Sequence, residues 1–503
     1  MDIAPKKQLG EWSIEITPSA MGFAPAYFDD SYPFFGGKSQ LSAMVNLDLT
    51  DPNVMMQGPA PETLASGDQT GAVTTLIKSI MRNAVSSNIS FAIGGAKLYQ
   101  ITSTAVSNAG IWPHTITIST DTIVGEDIIS YKSAVYYLYN DTTANAGDIG
   151  YYDLSTTFND DWGSTVPTGK GLLMNAPHQV INGGDDVMYF ANGKYVGTFD
   201  GTTLDPTGLD FQTDAQVSSI AWNLDKIWIA VNRPNISGTN SNQSAVYNWN
   251  GVDPSWNSDP VTINGLIGAL YVKNGIVYMW WQENGTSNRY NFGYHAGTRI
   301  VPLAAFSGTC PTYNQVGESR GFITWISSGL IYMWGATDPK VFIRAFQYCS
   351  ASYTTAGGLA SPFGSMMFAS TDGATPTTHY KLEIPSLTVK TTTSSGKSIA
   401  FNLSSAGVKS TIDSIHVSTD PLETGAKCDF TLTYDKAKSS ITSGTGLNQI
   451  AYDATKNTTM HKVLNKGVLV EDFRLDWSFA NGSTSKPVKI RAISIHGHYS
   501  PNL

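Results

Sequence analysis

The sequence predicts an all-β chain in which an irregular N-terminal arm with one short helix leads into a β-propeller-like domain of six or seven blades, followed by an antiparallel β-sandwich of jelly-roll type. Three observations carry this. The 503 residues exceed what one hydrophobic core holds, since single cores stop growing at about 250–300 residues. Gly (47) and Tyr (24) are abundant, and Asn-Gly and Asp-Gly pairs recur, which suits short strands joined by tight turns. Between residues 87 and 375 an aromatic-centred apolar motif repeats, whereas beyond 376 the text turns to period-two alternation.

The arm, residues 1–86, carries text such as FAPAYFDDSYPFFGGK and DPNVMMQGPAPETL, which has no strand or helix period. Within it Val73, Leu76, Ile77, Ile80 and Met81 fall at i, i+3, i+4, i+7 and i+8, and Thr74, Lys78 and Arg82 occupy the other side. That spacing predicts an amphipathic helix, packed on its own domain or on a neighbouring subunit.

In the middle region, 87–375, a small or polar residue leads into an apolar run centred on an aromatic. The instances are GAKLYQI (Tyr99), SAVYYLY (Tyr137), DDVMYFAN (Tyr189), LDKIWIAV (Trp228), NGIVYMWW (Tyr278), SGLIYMWG (Tyr332) and GSMMFAS (Phe368). Successive aromatics lie 38, 52, 39, 50, 54 and 36 residues apart. A four-stranded propeller blade takes about 40–50 residues, so each motif marks an inner strand where blades stack. The hairpin around Asn192-Gly193 fits such a blade. No WD or kelch signature accompanies the repeat, and two packed β-sandwiches are the competing arrangement.

The region 376–503 alternates cleanly. Tyr380, Leu382 and Ile384; Ile399, Phe401 and Leu403; Phe430, Leu432 and Tyr434; and Phe473, Leu475, Trp477 and Phe479 each share one face of a strand. One-sided strands predict the sandwich. In PVKIRAISIHGHY the apolar side changes near Ala492, which predicts a bulge in a final strand that runs almost to the C-terminus.

The residue inventory disfavours most chemistries. A formal net charge of −9 argues against phosphate neutralisation over the whole surface. Cys310, Cys349 and Cys428 form no CxxC and read as buried free thiols. The N-terminus lacks a secretory pattern and no apolar run is long enough to cross a bilayer, so synthesis in the cytoplasm is expected. The acid pairs Asp29-Asp30, Asp160-Asp161 and Asp185-Asp186 read as solvated loop acids, because adjacent strand residues point to opposite faces. Ser370-Thr371-Asp372-Gly373-Ala374 lacks the tryptophan of a sialidase box. His496 and His498 share a strand face, yet two ligands do not make a metal site. Asp51-Pro52-Asn53 and Asn248–Asp253 are oxygen-rich without EF-hand spacing. Trp280, Trp281 and Tyr290 are the candidate sugar-stacking rings, with inter-blade packing the favoured account. No nucleophile elbow, Walker motif, dinucleotide fingerprint or HExxH occurs, so no catalytic, cofactor-binding or metal residues are assigned and no cofactor is expected.

The text LDLTDPNVMMQGPAPETLASGDQTGAVTTLIKSI (47–80), NISFAIGGAKLYQI (88–101) and RAISIHGHYSP (491–501), with the arm, propeller and sandwich plan, resembles propeller-bearing virion structural proteins of tailed bacteriophages. These are nozzle- or stopper-like proteins of the tail or head-tail connection. The resemblance implies a non-catalytic, homo-oligomeric ring, sixfold by analogy, around the DNA channel. Neighbouring tail, adaptor or fibre proteins would be its partners, and genomic DNA a non-specific contact. The alternative is a glycan-binding or glycan-cleaving propeller with a carbohydrate-binding sandwich.

Overall fold

The computed structural model describes residues 11–499 apart from 19–21, 24–39, 67–72, 108–111, 119–121, 143–145, 163–170, 237–240, 336–345, 348–352, 373–379, 391–392, 404–408, 456–457, 482–486 and the single positions 50, 52, 175, 258, 287, 329, 399, 436 and 465. The described elements are strands and one 3-10 turn, Tyr313–Gln315. The chain divides into two compact bodies, one comprising 1–61, 331–350 and 386–503, the other 62–330 and 351–385.

Seven sheets, drawn mainly from the second body, form a seven-bladed propeller, the upper of the two expected blade numbers. Its innermost strands are Ser79–Ile80, Ile123–Tyr131, Val180–Asn182, Gln216–Asn223, Gly265–Lys273, Val316–Ser319 and Tyr353–Ala360, one from each of seven antiparallel sheets. They succeed one another around a closed ring, the last packing against the first. Blade 7 is completed by Pro59–Ser66, which precedes blade 1 in sequence and joins the sheet beside Tyr380–Lys390. An early strand thus completes the last blade as its outermost strand.

Between blades lie apolar clusters drawn from two consecutive sheets. Tyr189, Val196 and Leu209 of blade 3 meet Ile220, Ile229 and Trp249 of blade 4, and Tyr99 and Ile101 of blade 1 meet Met367 and Leu382 of blade 7. The repeat aromatics fall inside their sheets, but not all on the same strand. Tyr137, Tyr189, Trp228, Tyr278 and Phe368 lie on second strands, whereas Tyr99 (Lys97–Thr102) and Tyr332 (Leu330–Trp334) lie on third strands. This strand shift accounts for the short 38- and 36-residue spacings and the long 54-residue one.

The helix expected over 73–82 is not formed: this stretch holds no helical turn, bends at Thr75 and Arg82, and includes the strand Ser79–Ile80. Met81 N donates to Phe91 O at 2.9 Å, and Gly358 N to Ile77 O at 3.0 Å, so the backbone is spent on neighbouring strands. Val73, Ile77 and Ile80 enter the core between blades 7 and 1, while Met81 enters the one between blades 1 and 2. An inner strand buried on both faces has no period of its own, and the helical spacing was coincidental.

The expected boundaries 1–86, 87–375 and 376–503 are likewise corrected. Glu11–Ile16 pairs antiparallel with the C-terminal strand Ile490–Tyr499, and Gln40–Val45 pairs with Thr393–Ser398. The first body therefore draws strands from both chain ends, in one five-stranded and one eight-stranded sheet. Nor are its sheets purely antiparallel, because Gly22–Phe23 runs parallel to Gln40–Val45. Strands such as Ala426–Tyr434 alternate buried and wet residues as the text required. The bulge is present: Ser418 pairs with Ala492 and Thr419 with Ile490, leaving Arg491 as the extra residue.

Candidate functional site

The axis of the propeller is where its polar residues converge. The innermost strand of each blade presents a free edge there, and a buried N–H or C=O without a partner is costly. Side chains of the neighbouring blade supply the partners. Ser79 Oγ of blade 1 donates to Asp127 Oδ1 of blade 2 at 2.5 Å, and Asp127 Oδ2 accepts from Val180 N of blade 3 at 2.9 Å. Gln179 of blade 3 grips blade 4 through Ile220 O (2.8 Å) and Ile220 N (2.7 Å). Ser219 Oγ donates to Gln179 Oε1 at 2.9 Å and accepts from Leu270 N of blade 5 at 2.9 Å. A hydrogen-bonded relay therefore runs through five consecutive blades.

One end of the channel is closed by Tyr313–Gln315. The Tyr313 hydroxyl lies 3.4 Å from Glu126 Oε2, Asn314 Nδ2 donates to Lys78 O at 2.5 Å, and Arg82 Nη2 donates to Tyr313 O at 3.0 Å. Glu126 is held further by Lys78 Nζ at 2.6 Å and Asn140 Nδ2 at 2.9 Å. Burial pushes the Tyr313 hydroxyl well above its ordinary pKa, and the Glu126 and Asp127 carboxylates push it the same way. Burial likewise raises Asp127, against the opposing pull of Arg82 and of its hydrogen bonds from Ser79, Val180 and Ile128.

The other end opens into a cavity of about 530 Å³ lined by the C-terminal ends of the inner strands, with Arg82, Asn182, Trp222, Tyr271, Glu318 and Arg320 among its walls. Glu318 is paired with Lys273 Nζ at 3.0 Å and lies 3.4 Å from the Tyr271 hydroxyl. Burial, reinforced by Glu318 against the opposing pull of Arg82, moves the Tyr271 phenol up to about 12.

The residues singled out in the sequence are placed as follows. Asp160 is no solvated loop acid but a partly buried tie between blades 1 and 2. It accepts from Tyr137 OH (2.6 Å) and Thr117 N (2.9 Å), with His114 Nε2 at 2.8 Å. Burial raises its pKa, but the hydrogen bonds from His114, Tyr137 and Thr117 outweigh it and hold the carboxyl below its usual range. Asp185 accepts from Tyr189 OH, and Asp186 pairs with Lys132 at 3.3 Å; Asp29-Asp30 lie outside the described residues. Trp280, Trp281 and Tyr290 are all buried. Trp280 meets Trp325, while Trp281 faces the core shared with blade 4, so neighbouring rings point to opposite sides of one strand.

His496 and His498 are exposed on one strand face, as their spacing required, and the sequence hid their neighbours. His498 Nδ1 lies 2.8 Å from Asp413 Oδ2, and the His496 ring sits 6.1 Å from that of His416. Asp51 accepts from Asn53 N at 2.8 Å. In the loop Asn248–Asp253, Asp253 Oδ2 accepts from Asn250 Nδ2 (2.7 Å) and Asn257 Nδ2 (3.2 Å). Both loops spend oxygens on internal donors. Among the described residues no three His, Cys, Asp or Glu side chains gather as a metal site. Cys310 and Cys428 are free, and burial raises both thiols; Cys349 lies outside the described residues.

No family model and no curated protein matches this chain. Among solved structures it is similar to the computationally designed Ika8 protein (12% identity, 68% of this chain and 96% of that one, TM-score 0.37). It is also similar to the extracellular domains 1–2 of Drosophila Semaphorin 1a (8%, 65% and 89%, 0.42) and to an exo-β-1,3-galactanase from Phanerochaete chrysosporium (9%, 87% and 100%, 0.32). Among the described residues no helix is long and apolar enough to cross a membrane.

The relay residues escaped sequence reasoning, although they had a signal. Lys78-Ser79-Ile80-Met81, Glu126-Asp127-Ile128-Ile129, His178-Gln179-Val180-Ile181 and Ser218-Ser219-Ile220-Ala221 share a polar-polar-apolar-apolar pattern. In each, the second polar residue makes the inter-blade bond.

Proposed function

We propose that this protein is a structural component of a tailed-bacteriophage virion, placed in the tail or head-tail connection, without catalytic activity. It would act as a homo-oligomeric ring of nozzle or stopper type, contacting neighbouring tail, adaptor or fibre proteins and, without sequence preference, the passing DNA. The virion location rests on the resemblance of segments 47–80, 88–101 and 491–501. What supports the non-catalytic part is one observation: the carboxylates around the propeller axis are engaged by groups of the protein itself. Glu126 holds Lys78 and Asn140, Asp127 holds Ser79 and Val180, and Glu318 holds Lys273. A glycosidase needs two acids facing a shared substrate, one free to give a proton and one free to attack or activate water.

Immunogold labelling tests the location. Antibody raised against the purified chain should decorate the neck or tail of particles purified from the cells that produce it. Label confined to the soluble fraction of those cells would overturn the reading.

A further inference from the structure

The open end of the propeller channel has an uneven charge balance. Its two acids are answered from within: Asp127 accepts from Ser79 Oγ, Ile128 N and Val180 N, and Glu318 is paired with Lys273. Neither of its two guanidiniums makes an ion pair with a described residue. Arg82 commits Nη2 to the Tyr313 carbonyl and acts on Asp127 through space, keeping its remaining donors. Arg320, at the tip of the hairpin joining the first two strands of blade 6, makes no ion pair with any described residue. Both are exposed and line the same cavity.

Beside them stands Trp222, partly buried, with its indole stacked on Tyr189 at 6.0 Å and 19° between planes. A ring fixed in this way offers a flat apolar surface at little entropic cost. Asn83 and Asn182 line the cavity as well. The Asn182 amide donates to Ser130 O at 2.9 Å, which orients its carbonyl as a fixed acceptor. At about 530 Å³ the space lies within the range of small-ligand sites, about 300–1,000 Å³.

We propose that this mouth binds an acidic saccharide, with Arg82 and Arg320 taking the carboxylate of a hexuronic acid unit, Trp222 lying against the sugar ring, and Asn83 and Asn182 meeting its hydroxyls. Guanidiniums without an ion pair in a concave site favour an anion, and their planar forks match a carboxylate. The aromatic plane and the amides have no use for a bare inorganic anion, which separates a sugar acid from phosphate. The inference stands on the propeller alone and does not depend on the virion reading.

Calorimetric titration of the full chain with trigalacturonate, maltotriose and inorganic phosphate tests it. Trigalacturonate should bind, weakening as salt rises, while maltotriose and phosphate should give no comparable heat. Arg320→Gly removes the charge at a position whose φ of 50° glycine adopts freely, so the fold is kept and binding should fall about tenfold or more. Trp222→Leu should weaken trigalacturonate independently of salt. Absence of trigalacturonate binding, equal binding of maltotriose, full competition by phosphate at equal concentration, or indifference to both variants would each overturn the proposal.

Discussion

At the scale of single residues, the propeller is held by buried polar groups whose partners lie on other blades. Asp127 is the clearest case, because its carboxylate satisfies two backbone N–H groups and one hydroxyl. Asp127→Ala leaves those donors buried without an acceptor, and denaturant unfolding should register a loss of about 2–4 kcal/mol. Asp160 predicts a pH signature. Its folded pKa lies below the ordinary 3.8, so the stability it contributes is complete above that value and is lost as pH falls through the depressed one. Asp160→Asn should therefore be less stable than the native chain by about 1–2 kcal/mol at pH 7, and the gap should close on acidification below 3.8. A constant gap down to pH 2 would mean that Asp160 does not act through its charge. Neither role was legible in the sequence: Asp160-Asp161 looks like any loop pair, and His114 lies 46 residues away. Burial of Trp280 and Trp281 was legible, because neighbouring strand residues in a stacked blade both meet a core.

At the scale of elements, aromatic rings lie across glycines on paired strands. Tyr137 pairs with Gly150, Phe190 with Gly197 and Trp477 with Gly396. A Cβ on Gly150 would come within 1.9 Å of the Tyr137 ring, and one on Gly197 within 2.2 Å of Phe190. Gly150→Ala should thus cost about 1–3 kcal/mol by overpacking, measured as a lower unfolding midpoint, whereas Ala at the open Gly364 makes no such contact. Gly364 itself has φ of 78°, so Ala there is strained by its backbone alone, and the pair of substitutions sets ring contact against backbone strain. One-sided strands were readable by eye and the Arg491 bulge followed from their slip, because one wet face imposes period two. The supposed helix over 73–82 was unreadable for the opposite reason: its residues bury both faces, so burial left no period to distinguish strand from helix.

At the scale of the whole molecule, repeat length carried the fold. About 45 residues per motif pointed to blades, and the closed circuit of inner strands makes seven of them. The domain order was hidden because it depends on pairings between distant segments. Glu11–Ile16 with Ile490–Tyr499 joins the two ends of the described chain, and Pro59–Ser66 completes a blade whose other strands begin at Tyr353. No local pattern reports such contacts. The functional account makes one demand that a monomeric binding protein does not: identical copies must close into a ring. Light scattering of the purified chain, with negative-stain imaging of the same sample, is the direct measurement. The account predicts a single assembly of several copies seen as closed rings with a central opening, sixfold by the phage analogy. A monodisperse particle at the 54.1 kDa of one chain, persisting at high concentration, would contradict it.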